Sequence, residues 1–173
     1  ANSPAGIEAL VEGRQFGALE ERWLETIEAA DSDGLPEIEL FVRASDAMLE
    51  AGLEDRVDVL LDLTVPLYAE RSEPTQLLEI LRRWCLAASD RENVRERFVK
   101  LFRDIHGTMS IEAVYLELSN VAGAADPASA FRTLDRWMRY RDGAFVRHGS
   151  GWGTGRVESI DPLMRRVTVD LER

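Results

Sequence analysis

The dominant pattern along this chain is a helical alternation of apolar and polar residues. Through residues 5–140, apolar side chains recur at spacings of three and four, which is typical of amphipathic helices with one face turned toward a core. Polar or glycine-containing breaks separate the stripes, as at residues 31–34. The pattern predicts seven or eight helices of about 10–17 residues joined by short loops. One such stripe consists of Phe16, Leu19, Trp23, Leu24 and Ile27.

The predicted helices follow a regular period. Aromatic-centred helices begin near Phe16, Val57, Val94 and Phe131, at offsets of 41, 37 and 37 residues. Helical-hairpin repeats have periods of about 34 to 47 residues. We therefore predict a mainly α fold built as a TPR-like or HEAT-like array of antiparallel helix pairs, with an irregular helical bundle as the alternative. In such an array, one helix of each pair lines the surface that usually binds a partner.

The pattern changes after Tyr140. Residues 144–146 form a short apolar run, residues 156–160 favour a strand, and residues 166–171 alternate with period two, as a half-buried strand does. The sequence DPL at 161–163 is typical of a turn. We predict a helical domain over residues 1–141 and a small, incomplete β module over residues 142–173, organised around a β-hairpin. An isolated hairpin is only marginally stable, so this one needs another strand or helix to cover it.

Charge is distributed unevenly between these two parts. The chain has a net charge of -11, with 26 acidic and 12 basic residues in 1–131 but 6 acidic and 9 basic residues in 132–173. An acidic surface repels phosphates, which argues against nucleic-acid binding by the helical part. We expect this part to face either a basic protein surface or simply solvent.

The candidate chemistry does not indicate an enzyme. The two histidines, His106 and His148, have no metal-ligand spacing with the single cysteine, and no nucleophile motif occurs. Glycines alternate at 151, 153 and 155, but a strand follows where a phosphate-binding motif needs a helix. We expect no catalytic residues, metal or cofactor, and an ordinary core role for Cys85. The lone cysteine, the absence of a signal-like start and the lack of a long apolar run predict a cytoplasmic protein without a membrane span.

Three C-terminal segments resemble a known family. They are GAFVRH at 143–148, GWGTGRV at 151–157 and VTVDLE at 167–172. Together they are similar to a segment of long GreA-type transcription elongation factors, in which a helical extension and a small SH3-like β module precede a coiled coil. Related strands occur in CarD-type and UvrD-tail modules, which bind RNA polymerase. The coiled coil whose acidic tip supports transcript cleavage has no counterpart in this sequence, so the resemblance implies an accessory region that does not stimulate cleavage alone.

The resemblance and the charge reversal suggest a function and a site. We expect a non-catalytic interaction region that contacts RNA polymerase or an associated protein through Arg147, His148, Trp152 and Arg156, while the acidic array binds another protein. One alternative is a general helical-repeat scaffold, in which the hairpin only caps the last helix pair. Another is single-stranded nucleic-acid binding, with Trp152 stacking on bases beside the arginines.

Overall fold

A computed structural model describes residues 5–30, 34–147, 149, 151, 153–161, 163–164 and 166–171. Within these residues the chain forms eight helices followed by three strands, which confirms a mainly α fold with a C-terminal β element. The helices are α1 (Ala5–Glu12), α2 (Phe16–Glu28), α3 (Ile38–Glu50), α4 (Glu54–Tyr68), α5 (Pro74–Ala87), α6 (Glu92–His106), α7 (Ile111–Ser119) and α8 (Pro127–Met138). The strands are β1 (Phe145–Arg147), β2 (Thr154–Asp161) and β3 (Arg166–Leu171).

Local sequence explains several helix boundaries. Pro74 and Pro127 occupy the first turns of α5 and α8, where a missing backbone N–H costs nothing. The hydroxyl of Ser110 accepts a hydrogen bond from the Ala113 amide at 3.1 Å and caps α7. A proline inside a helix usually kinks or shortens it, but α4 continues two residues beyond Pro66. Because Pro66 lies in the last turn, it does not interrupt the body of the helix.

The chain divides into two compact units, Ala1–Leu101 and Phe102–Arg173, with the division inside α6. The second unit therefore groups the sheet with α7 and α8, whereas the change from helix to strand occurs between Met138 and Phe145. The domain boundary at residues 141/142 stays a prediction. No helix in the described part of the chain is both long and apolar enough to cross a bilayer.

Packing in the first unit follows a repeating order. Contacts join sequence neighbours, as in α1 with α2 and α4 with α5, and also alternate helices, as in α1 with α3, α2 with α4 and α3 with α5. Stacked helical hairpins produce this combination, because each helix meets its own partner and its equivalent in the next pair. The first residues of α2, α4, α6 and α8 are 38, 38 and 35 residues apart. Both features are typical of a helical-hairpin array.

The core of the first unit contains large aromatic residues with satisfied polar atoms. Trp23 is fully buried and donates from Nε1 to the Thr64 hydroxyl at 2.8 Å. Its ring lies tilted by 39° against Phe41, with 4.7 Å between the ring centroids. Trp84 is also buried and donates from Nε1 to Asp58 at 2.7 Å. These two tryptophans are core residues, as the apolar stripes predicted. Pairing their N–H groups avoids the cost of an unsatisfied buried donor.

Candidate functional site

The three strands form an antiparallel sheet in the order β1-β2-β3. Phe145 lies opposite Arg156, and Arg147 lies opposite Thr154. Directly paired residues project from the same face of a sheet, so these four side chains share one face, which we call the basic face. The predicted hairpin is the β2–β3 pair, and β1 pairs with β2 as a third strand.

The basic face brings two of the predicted site residues together. Arg147 and Arg156 are diagonal neighbours across β1 and β2, a relation that places residues about 7–8 Å apart, with their Cβ atoms somewhat closer. Both are exposed, and Phe145 beside them keeps 66% of its surface accessible. Asp170 on β3 lies opposite Arg156 and adds one carboxylate to this face. The result is an exposed aromatic ring among two cations and one anion.

Gly155 allows the strands that carry this face to approach closely. It lies in β2 opposite Val146 on one side and Leu171 on the other. A Cβ atom at this position would lie 2.5 Å from the Asp170 carbonyl oxygen and 2.5 Å from Val169 Cγ1. Only glycine fits there without moving β3. Of the three alternating glycines, Gly155 is therefore the one at which the backbone of a neighbouring strand comes close; a Cβ at Gly151 or Gly153 would meet no atom within 4 Å.

Gly143 leaves room for the side chain of Arg156. Gly143 has φ of +82°, and its amide donates to the Val157 carbonyl at 2.8 Å, which holds it against β2. A Cβ atom at residue 143 would lie 3.0 Å from one guanidinium nitrogen of Arg156. The guanidinium thus lies directly over the glycine. Because glycine also tolerates positive φ, one residue provides both the turn and the space.

The opposite face of the sheet is the apolar one. Val157 is 2% exposed, and Val146, Ile160, Val167 and Val169 are half-buried. The register shifts at a bulge between Val157 and Ser159. Glu158 and Ser159 are both exposed there, and the alternation of inward and outward side chains resumes with Ile160. The polar and apolar faces are therefore separated, and the two arginines project away from the core of the second unit.

The helical part of the second unit fixes the segment that leads into β1. The Tyr115 hydroxyl donates to the Tyr140 carbonyl oxygen at 2.9 Å, and its ring stacks on Trp137 at 5.4 Å. Burial, together with the negative charges of Glu112 and Asp142, raises the pKa of Tyr115. The tyrosine therefore remains a neutral hydrogen-bond donor at physiological pH. Trp137 is half-buried in this stack.

The structure accounts for only part of the predicted site. Arg147 and Arg156 lie on the basic face, whereas His148 and Trp152 lie outside the described residues. Sequence reasoning placed Phe145 in an apolar run and did not assign it to the site. The signal that would have revealed it is the period of two, which puts residues 145 and 147 on the same side of a strand.

Other reactive groups do not form a site in the described part of the chain. No cluster of three or more histidine, cysteine or acidic side chains that could hold a metal ion occurs there. Cys85 is fully buried, as predicted, and burial raises the pKa of its thiol to about 12, which suppresses the nucleophilic thiolate. His106 packs against the ring of Phe102, with 4.3 Å between ring centroids.

The comparisons with known proteins add no further identification. No family model, curated protein or solved structure matches this chain. The resemblance of residues 143–172 to GreA-type factors therefore stays a prediction.

Proposed function

We propose that this chain is a non-catalytic protein-interaction region of a GreA-like transcription elongation factor, and that its basic face contacts RNA polymerase or an associated protein. The observation that carries the proposal is the convergence of Phe145, Arg147 and Arg156 on one exposed face. These residues come from two of the segments that resemble the GreA-type factors. Aromatic and arginine side chains are also the types most enriched among residues that dominate binding energy.

Charge supports an acidic protein surface as the partner. Residues 132–173 have an excess of three basic residues, the opposite sign to the remainder of the chain. Two exposed arginines can steer an acidic partner and form bidentate bonds to its carboxylates, while Phe145 supplies apolar area. The backbone is held by the close β2–β3 packing at Gly155. The face is therefore organised before it binds, which lowers the entropy lost on association.

A nucleic-acid role has weaker support on this face. Single-stranded binding relies on several stacking aromatics in a positively charged groove. Within the described residues, the basic face combines one aromatic ring with two arginines, and Asp170 places a carboxylate opposite Arg156. A phosphate backbone would meet this negative charge. Protein contact is the better match to the mixed charge.

The proposal can be tested by measuring the affinity of the whole chain for purified bacterial RNA polymerase core enzyme on a biosensor. We expect Arg147→Glu and Phe145→Ala each to weaken the Kd about tenfold, equivalent to 1.4 kcal/mol. Arg132→Glu on α8 is the matched control, because Arg132 is exposed and its ion pair with Asp126 is long, at 3.8 Å. Circular dichroism verifies that each variant remains folded.

The result also separates the proposal from the general scaffold. The repeating contacts of the first unit support a scaffold, and that alternative predicts that the polymerase is not bound or that all three variants bind it equally. Equal binding by the Arg147, Phe145 and Arg132 variants would show that the basic face is not the polymerase contact.

A further inference from the structure

The first unit has a groove at the start of α3 and α5, remote in sequence from the basic face. Two hollows of about 260 and 250 Å³ adjoin there. Ile38 and Gln76 line both hollows, so the two hollows adjoin, and we call them together the groove. Each hollow is smaller than the roughly 300–1,000 Å³ typical of a small-molecule pocket. Two adjoining hollows of this size suit neighbouring side chains of a bound segment.

Hydrogen bonds fix the shape of the groove. Gln76 Nε2 donates to Glu39 Oε1 at 2.7 Å, linking α5 to α3. The Tyr68 hydroxyl donates to the Pro36 carbonyl oxygen at 2.7 Å and holds the segment that precedes α3. Beyond the groove, Arg83 on α5 binds Asp46 on α3 at 3.0 Å. The two helices are thus tied together at several levels, so the groove is preformed.

The lining combines apolar carbon with negative charge. Ile38 is buried at the boundary of the hollows, and Val42 lines the second hollow. Three glutamates line the groove, Glu37, Glu39 and Glu79, against one cation, Arg71. Glu79 also pairs with Arg83, so Glu37 and Glu39 are the main anions. Burial, together with these two glutamates, raises the pKa of Tyr68, which is consistent with a negative potential at this end.

We propose that this groove binds an extended segment of a partner polypeptide, with a lysine or arginine next to an aliphatic residue. The cation lies against Glu37 and Glu39, and the aliphatic side chain packs on the partly exposed Val42. Charge complementarity selects this occupant, because the carboxylates attract a basic side chain and repel both a phosphate backbone and an acidic peptide. The inference is independent of the basic face, which lies in the other unit and has charge of the opposite sign.

The test uses the whole chain and a positional-scanning library of fluorescein-labelled octapeptides, with fluorescence anisotropy as the readout. We expect selection of lysine or arginine at one position and of leucine, isoleucine or valine beside it. Glu37→Lys should weaken the Kd of the selected peptide about tenfold. Glu39→Gln should weaken it by a smaller factor, because the amide oxygen can still accept from Gln76 while the charge is lost.

Glu50→Lys is the matched control, since Glu50 is exposed at the end of the same helix and does not line the groove. Unchanged affinity in this variant, with weaker binding by Glu37→Lys, assigns the peptide to the groove. The proposal is overturned if the library shows no selection of lysine or arginine, or if Glu37→Lys and Glu50→Lys weaken the Kd of the peptide equally. Arg147→Glu should leave peptide binding unchanged, so failure here is distinguishable from failure of the basic face.

Discussion

Replacing Gly155 with alanine tests the packing that positions the basic face. The added Cβ would lie 2.5 Å from both the Asp170 carbonyl oxygen and Val169 Cγ1, and 3.0 Å from Leu171 Cδ2. The first of these atoms is backbone, so relief requires β3 to move. Overpacking by one methyl group typically costs about 1–3 kcal/mol. We expect Gly155→Ala to lower the free energy of unfolding of the second unit by that amount and to weaken the β2–β3 pair.

Two other glycines provide controls for this substitution. A Cβ at Gly149 or Gly17 would meet no atom within 4 Å, and neither residue has positive φ. Gly149→Ala should be nearly neutral, and Gly17→Ala in α2 should stabilise that helix by about 0.5–1 kcal/mol. Urea unfolding monitored by circular dichroism gives the stability, and hydrogen exchange of the β2 and β3 peptides localises the change. If Gly155→Ala shows the same hydrogen exchange and the same free energy of unfolding as Gly149→Ala, the close approach of β2 and β3 is refuted.

Three further predictions concern the first unit. Thr64→Val removes the acceptor of the buried Trp23 N–H and should lower the free energy of unfolding in urea by about 1–3 kcal/mol. Ser45→Ala removes a hydroxyl that donates to the Phe41 carbonyl oxygen of its own helix and should cost less. Equal losses in the two variants would contradict the role of Thr64 as the acceptor. Asp58→Ala leaves the Trp84 N–H without its acceptor and should lower the free energy of unfolding by about 1–3 kcal/mol. Asp62→Ala loses a surface contact to Arg91 and should cost under about 1 kcal/mol. A larger loss in Asp62→Ala than in Asp58→Ala would refute Asp58 as the acceptor of the buried N–H. Burial raises the pKa of Cys85 from 9.0 to about 12, so the stability that its neutral thiol contributes is complete below pH 9 and declines toward pH 12. At pH 9, iodoacetamide should modify Cys85 in urea but not in the folded chain. Rapid modification of the folded chain would disprove its burial.

Most of the fold could be predicted from local signals. The apolar stripes identified the helices because a 3.6-residue period needs no knowledge of the partner helix. The Ser110 cap and the first-turn prolines were equally local. Pro66 shows the limit of such rules, because its effect depends on its distance from the helix end. Residues 166–171 were recognised from their alternation, whereas residues 144–146 were described only as an apolar run, because a three-residue strand such as β1 contains little periodic information.

The candidate sites depend on pairing, which sequence patterns do not encode. Arg147 and Arg156 were named separately, but their shared face follows from the register that places Phe145 opposite Arg156. The groove between α3 and α5 joins residues 38 and 76, which no short motif connects. Its geometry arises from helix stacking in the first unit. Sequence reasoning therefore predicted an acidic helical array but not the position of the groove.

Photo-crosslinking from position 145 tests the central proposal most directly. A benzophenone amino acid replaces Phe145, which is 66% exposed on the basic face, and a second variant places it at Val59, which is 61% exposed on α4. Each full chain is irradiated with RNA polymerase core enzyme, and adducts are identified by mass spectrometry. We predict adducts between residue 145 and an acidic surface of the polymerase, and none from residue 59. Adducts from residue 59 alone, or from neither position, would contradict binding through the basic face.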